Sequence, residues 1–172
     1  MNYFIQLLTY FRILIAPIIF LLITYYNFYG LALLLFFLAS ISDYWDGFLA
    51  RRYDLESSFG AVLDPVADKI LTMFVILALS LELSSIFIGI VGGMILAREF
   101  WVGALRDFNA RQGNSEATQV TFLAKMKTSI QLTTFSLYLL GLVFNNALIL
   151  FTSNFFLLFS PSILLISIYF SF

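Results

Sequence analysis

Long apolar runs separated by short polar connections fill most of this chain. A helix of roughly 20 residues crosses the hydrocarbon core of a bilayer, and each run is about that long. The pattern places six spans, over residues 13–29, 31–50, 61–81, 86–105, 124–144 and 147–169. The residues up to Arg12 predict a short N-terminal interfacial helix that leads into the first span. The chain is therefore predicted to be an all-α integral membrane bundle of six transmembrane helices.

Composition supports a membrane protein and excludes several other classes. The 172 residues are 62% hydrophobic and 11% charged, and the mean hydropathy is +0.98. These values are typical of integral membrane proteins rather than soluble domains. No polar linker divides the chain, which predicts one domain over residues 1–172. No basic stretch interleaved with aromatic residues points to nucleic acid.

Four carboxylates interrupt the apolar pattern of the second and third spans: Asp43, Asp46, Asp64 and Asp68. Ionisable groups beside hydrocarbon are costly and indicate function. On a helix, Asp43 and Asp46 share one face, and Asp64 and Asp68 share a face of the next helix. The chain has no Cys and no His, so any metal must be held by oxygen. The two helices therefore predict a pocket for a hard divalent cation such as Mg²⁺, Mn²⁺ or Ca²⁺.

The basic residues all lie beside one set of connections, together with Arg12 before the first span. They are Arg12, Arg51, Arg52, Lys69, Arg98, Arg106, Arg111, Lys125 and Lys127. The alternate connections, near Asn27, Glu82 and Asn145, contain no basic residue. Because positive charge favours the cytoplasmic side, the pattern predicts a multi-pass protein of the inner (cytoplasmic) membrane. Both termini and the four carboxylates are then expected at the cytoplasmic face.

The carboxylates belong to a longer pattern, D-x2-D-G-x2-A-R-x8-G-x3-D-x3-D. Its fixed positions are filled by Asp43, Asp46, Gly47, Ala50, Arg51, Gly60, Asp64 and Asp68. This pattern resembles the signature of the CDP-alcohol phosphotransferase family. Other segments that resemble the family are 8–12 with Pro17, 47–52, 59–69, 98–99, 105–106 and 125–128. A network of purely structural ion pairs would not require glycines at these spacings.

The resemblance implies transfer of a phosphatidyl group from CDP-diacylglycerol to an alcohol, with release of CMP, by a homodimer in the lipid bilayer. A pyrophosphate would be repelled by four carboxylates unless metal ions intervened. Two Mg²⁺ or Mn²⁺ ions are therefore expected on Asp43, Asp46, Asp64 and Asp68. The resemblance makes Asp68 the general base, although position on the helix alone does not choose it over Asp64.

The same motif predicts the CDP-lipid site, at Asp46, Gly47, Ala50, Arg51 and Gly60. Gly47 and Ala50 lack bulk, so that the nucleotide can approach the helix backbone. Gly60 is expected to give the same clearance on the facing helix. Arg51 is expected to pair with a phosphate of the CDP group.

A second basic cluster predicts the phosphate-binding site for the acceptor, at Arg98, Arg106, Lys125 and Lys127. Glycerol 3-phosphate is anionic, and the cluster lies at the same predicted membrane face as the carboxylates. Arg98 and Lys127 are closest to apolar sequence, which favours a phosphate contact. For Arg106 an equal alternative is a charge that only sets topology. Glycerol 3-phosphate is the predicted acceptor.

Other functions remain open from the sequence. Within the family, the acceptor could be inositol phosphate, serine or another lipid, because a cationic cluster does not name the alcohol. A membrane prenyltransferase also binds Mg²⁺ and a pyrophosphate, but it would need two separated Asp-rich motifs and a longer chain. A cation transporter would spread polar groups through the depth of the membrane, whereas here they crowd one face.

Overall fold

The computed structural model describes residues 2–53, 58–112 and 122–169. Within these ranges the chain forms six helices and no strand. They are α1 (Asn2–Thr24), α2 (Tyr29–Tyr53), α3 (Ser58–Glu82), α4 (Ile86–Arg111), α5 (Phe122–Val143) and α6 (Ala147–Tyr169). The predicted all-α class is therefore confirmed.

Two described segments are long and apolar enough to cross a bilayer, namely Leu7–Thr24 of α1 and Ile86–Leu105 of α4. Shorter apolar segments occupy Tyr29–Ser42, Ser129–Val143 and Ala147–Leu158. Length and hydropathy of the described residues thus support two spans, and the six-span arrangement stays a prediction.

The first helix differs from its predicted form at both ends. The separate interfacial helix expected up to Arg12 is not a separate element, because α1 is continuous from Asn2 to Thr24. The helix also ends before residue 29, where the first span was expected to end. Asn27 adopts a left-handed backbone with φ of 55°, a conformation that Asn tolerates better than most residues. The Phe28 N–H donates to the Leu22 carbonyl at 2.9 Å, and the chain turns into α2.

The described turns between helices share this design. Ser84 and Asn145 have φ values of 46° and 47°. In each turn the next residue's N–H donates back to a carbonyl of the preceding helix at 3.0 Å. Such bonds satisfy carbonyls that the end of a helix leaves unpaired. These are the connections in which the sequence places no basic residue.

The helices group into two compact units, Met1–Ser85 and Ile86–Phe172. In the first unit, α1 packs against both α2 and α3. Apolar residues at helical spacing form the buried core of this unit. They are Ile15, Ala16, Ile19 and Ile23 of α1, Ala32 and Phe36 of α2, and Leu71, Val75 and Leu79 of α3. The single-domain organisation stays a prediction.

Contacts within the first unit show the directions of its helices. Arg12 of α1 contacts Asp68 of α3, and further along both helices the ring of Phe20 lies 6.0 Å from that of Phe74. The helices α1 and α3 therefore run parallel. The short turn after Thr24 makes α2 antiparallel to both. The C-terminal half of α2 and the N-terminal half of α3 consequently lie at the same end of the unit.

In the second unit, α6 packs against both α4 and α5. The buried Tyr138 hydroxyl donates to Asn154 Oδ1 at 2.7 Å and links α5 to α6. A Cβ added to Gly141 would lie 2.7 Å from Leu150 Cδ2, so this glycine permits the close approach of the two helices. The buried Ser153 hydroxyl donates to the Ile149 carbonyl at 2.7 Å, within its own helix.

Candidate functional site

The acidic motif occupies the halves of α2 and α3 that lie at one end of the first unit. The backbone is helical through Tyr53 on α2 and from Ser58 on α3. The predicted spacing of three and four residues on a helix face therefore applies to the carboxylates. The side chains that fall outside the described part of the structure are those of Asp43, Asp46, Ala50, Arg51 and Asp64, and nothing beyond the helical backbone is described at Gly47 and Gly60.

Asp68 is the motif carboxylate whose side chain the structure describes. Arg12 Nη1 donates to Asp68 Oδ1 at 2.5 Å. The Arg12 side chain is 1% exposed, and that of Asp68 is 51% exposed. The carboxylate of Asp68 therefore forms an ion pair with a buried cation, yet about half of the Asp68 side chain is exposed.

The sequence predicts that Arg12 ends an interfacial helix just before the first span, and the structure differs at this point. Arg12 lies inside the apolar segment Leu7–Thr24 and is fully buried. Thr9, Ala16 and Ile19 are buried at helical spacing on the same stripe. The packing of α1 thus carries an arginine from an apolar helix to the acidic motif.

A sequence signal for Arg12 does exist. It is the only charged residue of α1, whose other residues are mostly apolar. A lone ionisable group inside an apolar helix usually marks a functional contact. That signal does not name the partner, because Asp68 lies 56 residues away along the chain.

The predicted acceptor site belongs to the second unit. Arg98 lies on α4 and is partly buried. The backbone is helical at Arg106 of α4 and at Lys125 and Lys127 of α5, but the side chains of these three residues lie outside the described part of the structure. The convergence of these four cations on one phosphate stays a prediction.

The chemistry of the motif fits a hard divalent cation. Its candidate ligands are all carboxylates, and the chain contains no Cys or His that would favour a softer metal. The backbone of α2 and α3 places these four positions at one end of the same unit. Among side chains that the structure describes, no group of three or more such ligands is found. The half-exposed Asp68 is compatible with a ligand role.

Comparison with known proteins gives an independent assignment. The sequence model of the family described as CDP-alcohol phosphatidyltransferase matches residues 5–165. A CDP-diacylglycerol–glycerol-3-phosphate 3-phosphatidyltransferase of Salmonella choleraesuis (strain SC-B67) is 36% identical over 130 residues, covering 73% of this chain and 70% of the relative. The protein of the same name from Escherichia coli (strain K12) is 35% identical over 130 residues, with the same coverage of both chains. The resemblance seen in the acidic motif is confirmed, and the chain belongs to the CDP-alcohol phosphatidyltransferase family.

Proposed function

We propose that this protein transfers the phosphatidyl group of CDP-diacylglycerol to sn-glycerol 3-phosphate, giving phosphatidylglycerol phosphate and CMP in phospholipid biosynthesis. Membership of the family supports the reaction type, and the names of the relatives support the two substrates. The observation that carries the proposal is the placement of the two acidic half-helices at one end of the first unit, where Asp68 remains accessible.

The metal site of this proposal consists of Asp43, Asp46, Asp64 and Asp68. Their oxygen atoms are suitable ligands for two Mg²⁺ or Mn²⁺ ions. When bound, such ions would offset the charge of the pyrophosphate and polarise the phosphorus. The helical backbone of α2 and α3 supports the shared face that such a site needs.

The chain's own groups then have separate tasks. Asp68 accepts the proton of the acceptor hydroxyl, whose oxygen forms a bond to the phosphatidyl phosphorus. The bond from that phosphorus to the CMP oxygen breaks, and CMP leaves. Gly47, Ala50 and Gly60 leave room for the nucleotide beside the helix backbones, while Arg51 binds a phosphate of the CDP group. Asp46, on the same helix as Arg51, belongs to the CDP-lipid site as one of the proposed metal ligands.

The acceptor phosphate is assigned to Arg98, Arg106, Lys125 and Lys127. Partial burial of Arg98 supports this role, because a cation that is partly shielded from water binds an anion more strongly. A hydrogen bond to a charged group contributes roughly 1.5–3 kcal/mol. Such bonds would favour a phosphorylated alcohol over a neutral one.

The proposal places the protein in the inner membrane with six spans and a cytoplasmic active site. The alternating directions of α1, α2 and α3 support this topology, as does the absence of basic residues from the turns at Asn27, Ser84 and Asn145. A homodimer is proposed from the family resemblance alone.

One assay tests the activity. Purified protein in a buffer that contains Mg²⁺ or Mn²⁺ receives CDP-diacylglycerol and, separately, glycerol 3-phosphate, inositol phosphate, serine or phosphatidylglycerol, and both CMP and the lipid product are measured. We expect CMP release and phosphatidylglycerol phosphate with glycerol 3-phosphate. Use of another alcohol instead would contradict the named acceptor and leave the family reaction intact. Absence of CMP with every acceptor would contradict the proposed function.

A further inference from the structure

We propose that Arg12 is a positioning residue that orients the carboxylate of Asp68 for proton transfer. This inference rests on the proposed function, in which Asp68 is the general base. Its structural basis is the bond from Arg12 Nη1 to Asp68 Oδ1, which joins α1 to the acidic part of α3.

Arg12 and Asp68 are buried to different extents, and this difference suits a positioning role for Arg12. Packing surrounds the Arg12 side chain, whereas about half of the Asp68 side chain is exposed. Thr9 and Ala16, one turn before and one turn after Arg12 along the helix, are also buried, so the arginine stem lies in a packed part of α1. Arginine remains charged under all ordinary conditions and presents its N–H donors in a rigid plane. The pair therefore consists of a fixed donor and an accessible acceptor.

A purely structural role accounts poorly for a cation at this position. Taking a charge out of water costs several kcal/mol, and an apolar residue can often replace a buried ion pair without loss of stability. The rest of the α1 stripe, including Ile19 and Ile23, is apolar or small. The charge of Arg12 instead provides a directional contact to a carboxylate that belongs to the reactive motif.

Positioning is compatible with proton transfer at the same carboxylate. An ionised carboxylate has about four acceptor positions on its two oxygens, so one bond to Arg12 leaves capacity for a second partner. The bond to the buried Arg12 restrains the orientation of a side chain that is about half exposed. Misplacement of a reacting group by about 1 Å costs on the order of 100-fold in rate.

The test compares Arg12→Gln, Arg12→Lys and the matched control Tyr29→Phe. The control removes the hydrogen bond from Tyr29 to Glu82, which lies at the opposite end of the same unit. For each purified variant, kcat and KM are measured for both substrates, and the thermal midpoint is recorded in one detergent. We expect Arg12→Gln to lower kcat by roughly 10- to 100-fold with KM values within about threefold of wild type. Arg12→Lys should fall between Arg12→Gln and wild type, and Tyr29→Phe should retain kcat.

A second measurement does not depend on activity. The thermal midpoint of Arg12→Gln is compared in the wild-type and Asp68→Asn backgrounds. If the two residues act as a pair, Arg12→Gln will shift the midpoint less when Asp68 has already been replaced. Additive shifts would overturn the pairing, even in a protein for which the proposed reaction had failed.

The kinetic outcomes also decide the proposal. Wild-type kcat in Arg12→Gln, or a change confined to KM, would overturn a positioning role while leaving the proposed function intact. If Arg12→Gln does not fold, Arg12→Lys decides in its place, because lysine keeps the charge without the planar donors. A wild-type kcat for Arg12→Lys would then overturn the proposal. If the wild-type protein releases no CMP, the proposed function itself is contradicted.

Discussion

The hydroxyl of Tyr29 donates a hydrogen bond to the carboxylate of Glu82, so the first residue of α2 meets the last residue of α3. Arg12 and Asp68 make the corresponding contact between α1 and α3 at the other end of the unit. The buried apolar residues of α1, α2 and α3 lie between these two contacts. Because α2 and α3 run in opposite directions, the acidic half of each helix lies at the Arg12 end.

Replacing any one of the four carboxylates should severely reduce turnover. Single Asp→Asn changes at positions 43, 46, 64 and 68 keep the size of the side chain but remove its charge. We expect each to lower kcat by at least about 100-fold, the scale of losing a major electrostatic stabiliser. CMP release by purified variants measures the effect, with Tyr29→Phe as the control. Near-normal activity in two of the four variants would contradict the two-metal site.

Activity should require a divalent cation. In the proposed site the candidate cation ligands are carboxylates, and carboxylates cannot stabilise the negative charge of a pyrophosphate unaided. Treatment with a chelator should abolish CMP release, and added Mg²⁺ or Mn²⁺ should restore it. Residual metal in the chelated protein is measured by mass spectrometry. Full activity in protein that has lost its metal would refute this requirement.

Use of the two substrates should depend on different basic side chains. Removing the charge of Arg98 or Lys127 with glutamine should reduce kcat/KM for glycerol 3-phosphate by about 10- to 100-fold, the loss of one charged hydrogen bond. The effect on CDP-diacylglycerol should be much smaller. Arg51→Gln should show the reverse preference. Equal effects of all three changes on both substrates would rule out separate subsites.

Stability should depend unequally on the two members of the Arg12–Asp68 pair. Asp68→Ala removes a carboxylate that contacts a buried guanidinium. The loss of one partner from a buried ion pair costs about 3–5 kcal/mol, which is the upper bound expected here. Arg12→Met leaves only a half-exposed carboxylate, which water can solvate. Unfolding in detergent should therefore show the larger loss for Asp68→Ala. Equal losses would mean that burial of Arg12 does not determine the cost.

Topology can be tested in intact cells. Reporters at either terminus should be cytoplasmic, as should reporters within residues 109–119, whereas a reporter near Glu82 should lie on the far side. A cysteine introduced by Ser115→Cys should resist a membrane-impermeant label added from outside. Labelling of that cysteine without cell lysis would invert the proposed arrangement.

Several features could be predicted from the sequence because they depend on local spacing. Apolar runs of helix-forming length predict the all-α class, and a helix places residues three or four apart on one face whatever surrounds it. The acidic motif could be identified for the same reason, from Asp43 to Asp68. The motif with that spacing resembles the signature of the family, and the match over residues 5–165 confirmed the resemblance.

Helix ends were less predictable, because they depend on single residues and on carbonyls that the turn must satisfy. The first span was expected to reach residue 29, yet α1 ends at Thr24. The left-handed backbone at Asn27 and the bond from Phe28 N–H to the Leu22 carbonyl close the helix within an apolar and aromatic stretch. Hydropathy alone does not register such a turn.

The chain by itself determined which residues are ionisable, how they are spaced along helices and which family they indicate. Only the tertiary structure decided that Arg12 is buried and that its partner is Asp68, 56 residues away. Helical periodicity is set by backbone hydrogen bonds within a few residues. The partner of a charge depends instead on which helices pack together and in which direction. In the first unit, the parallel packing of α1 and α3 brings the only charged residue of α1 to the accessible carboxylate of the acidic motif.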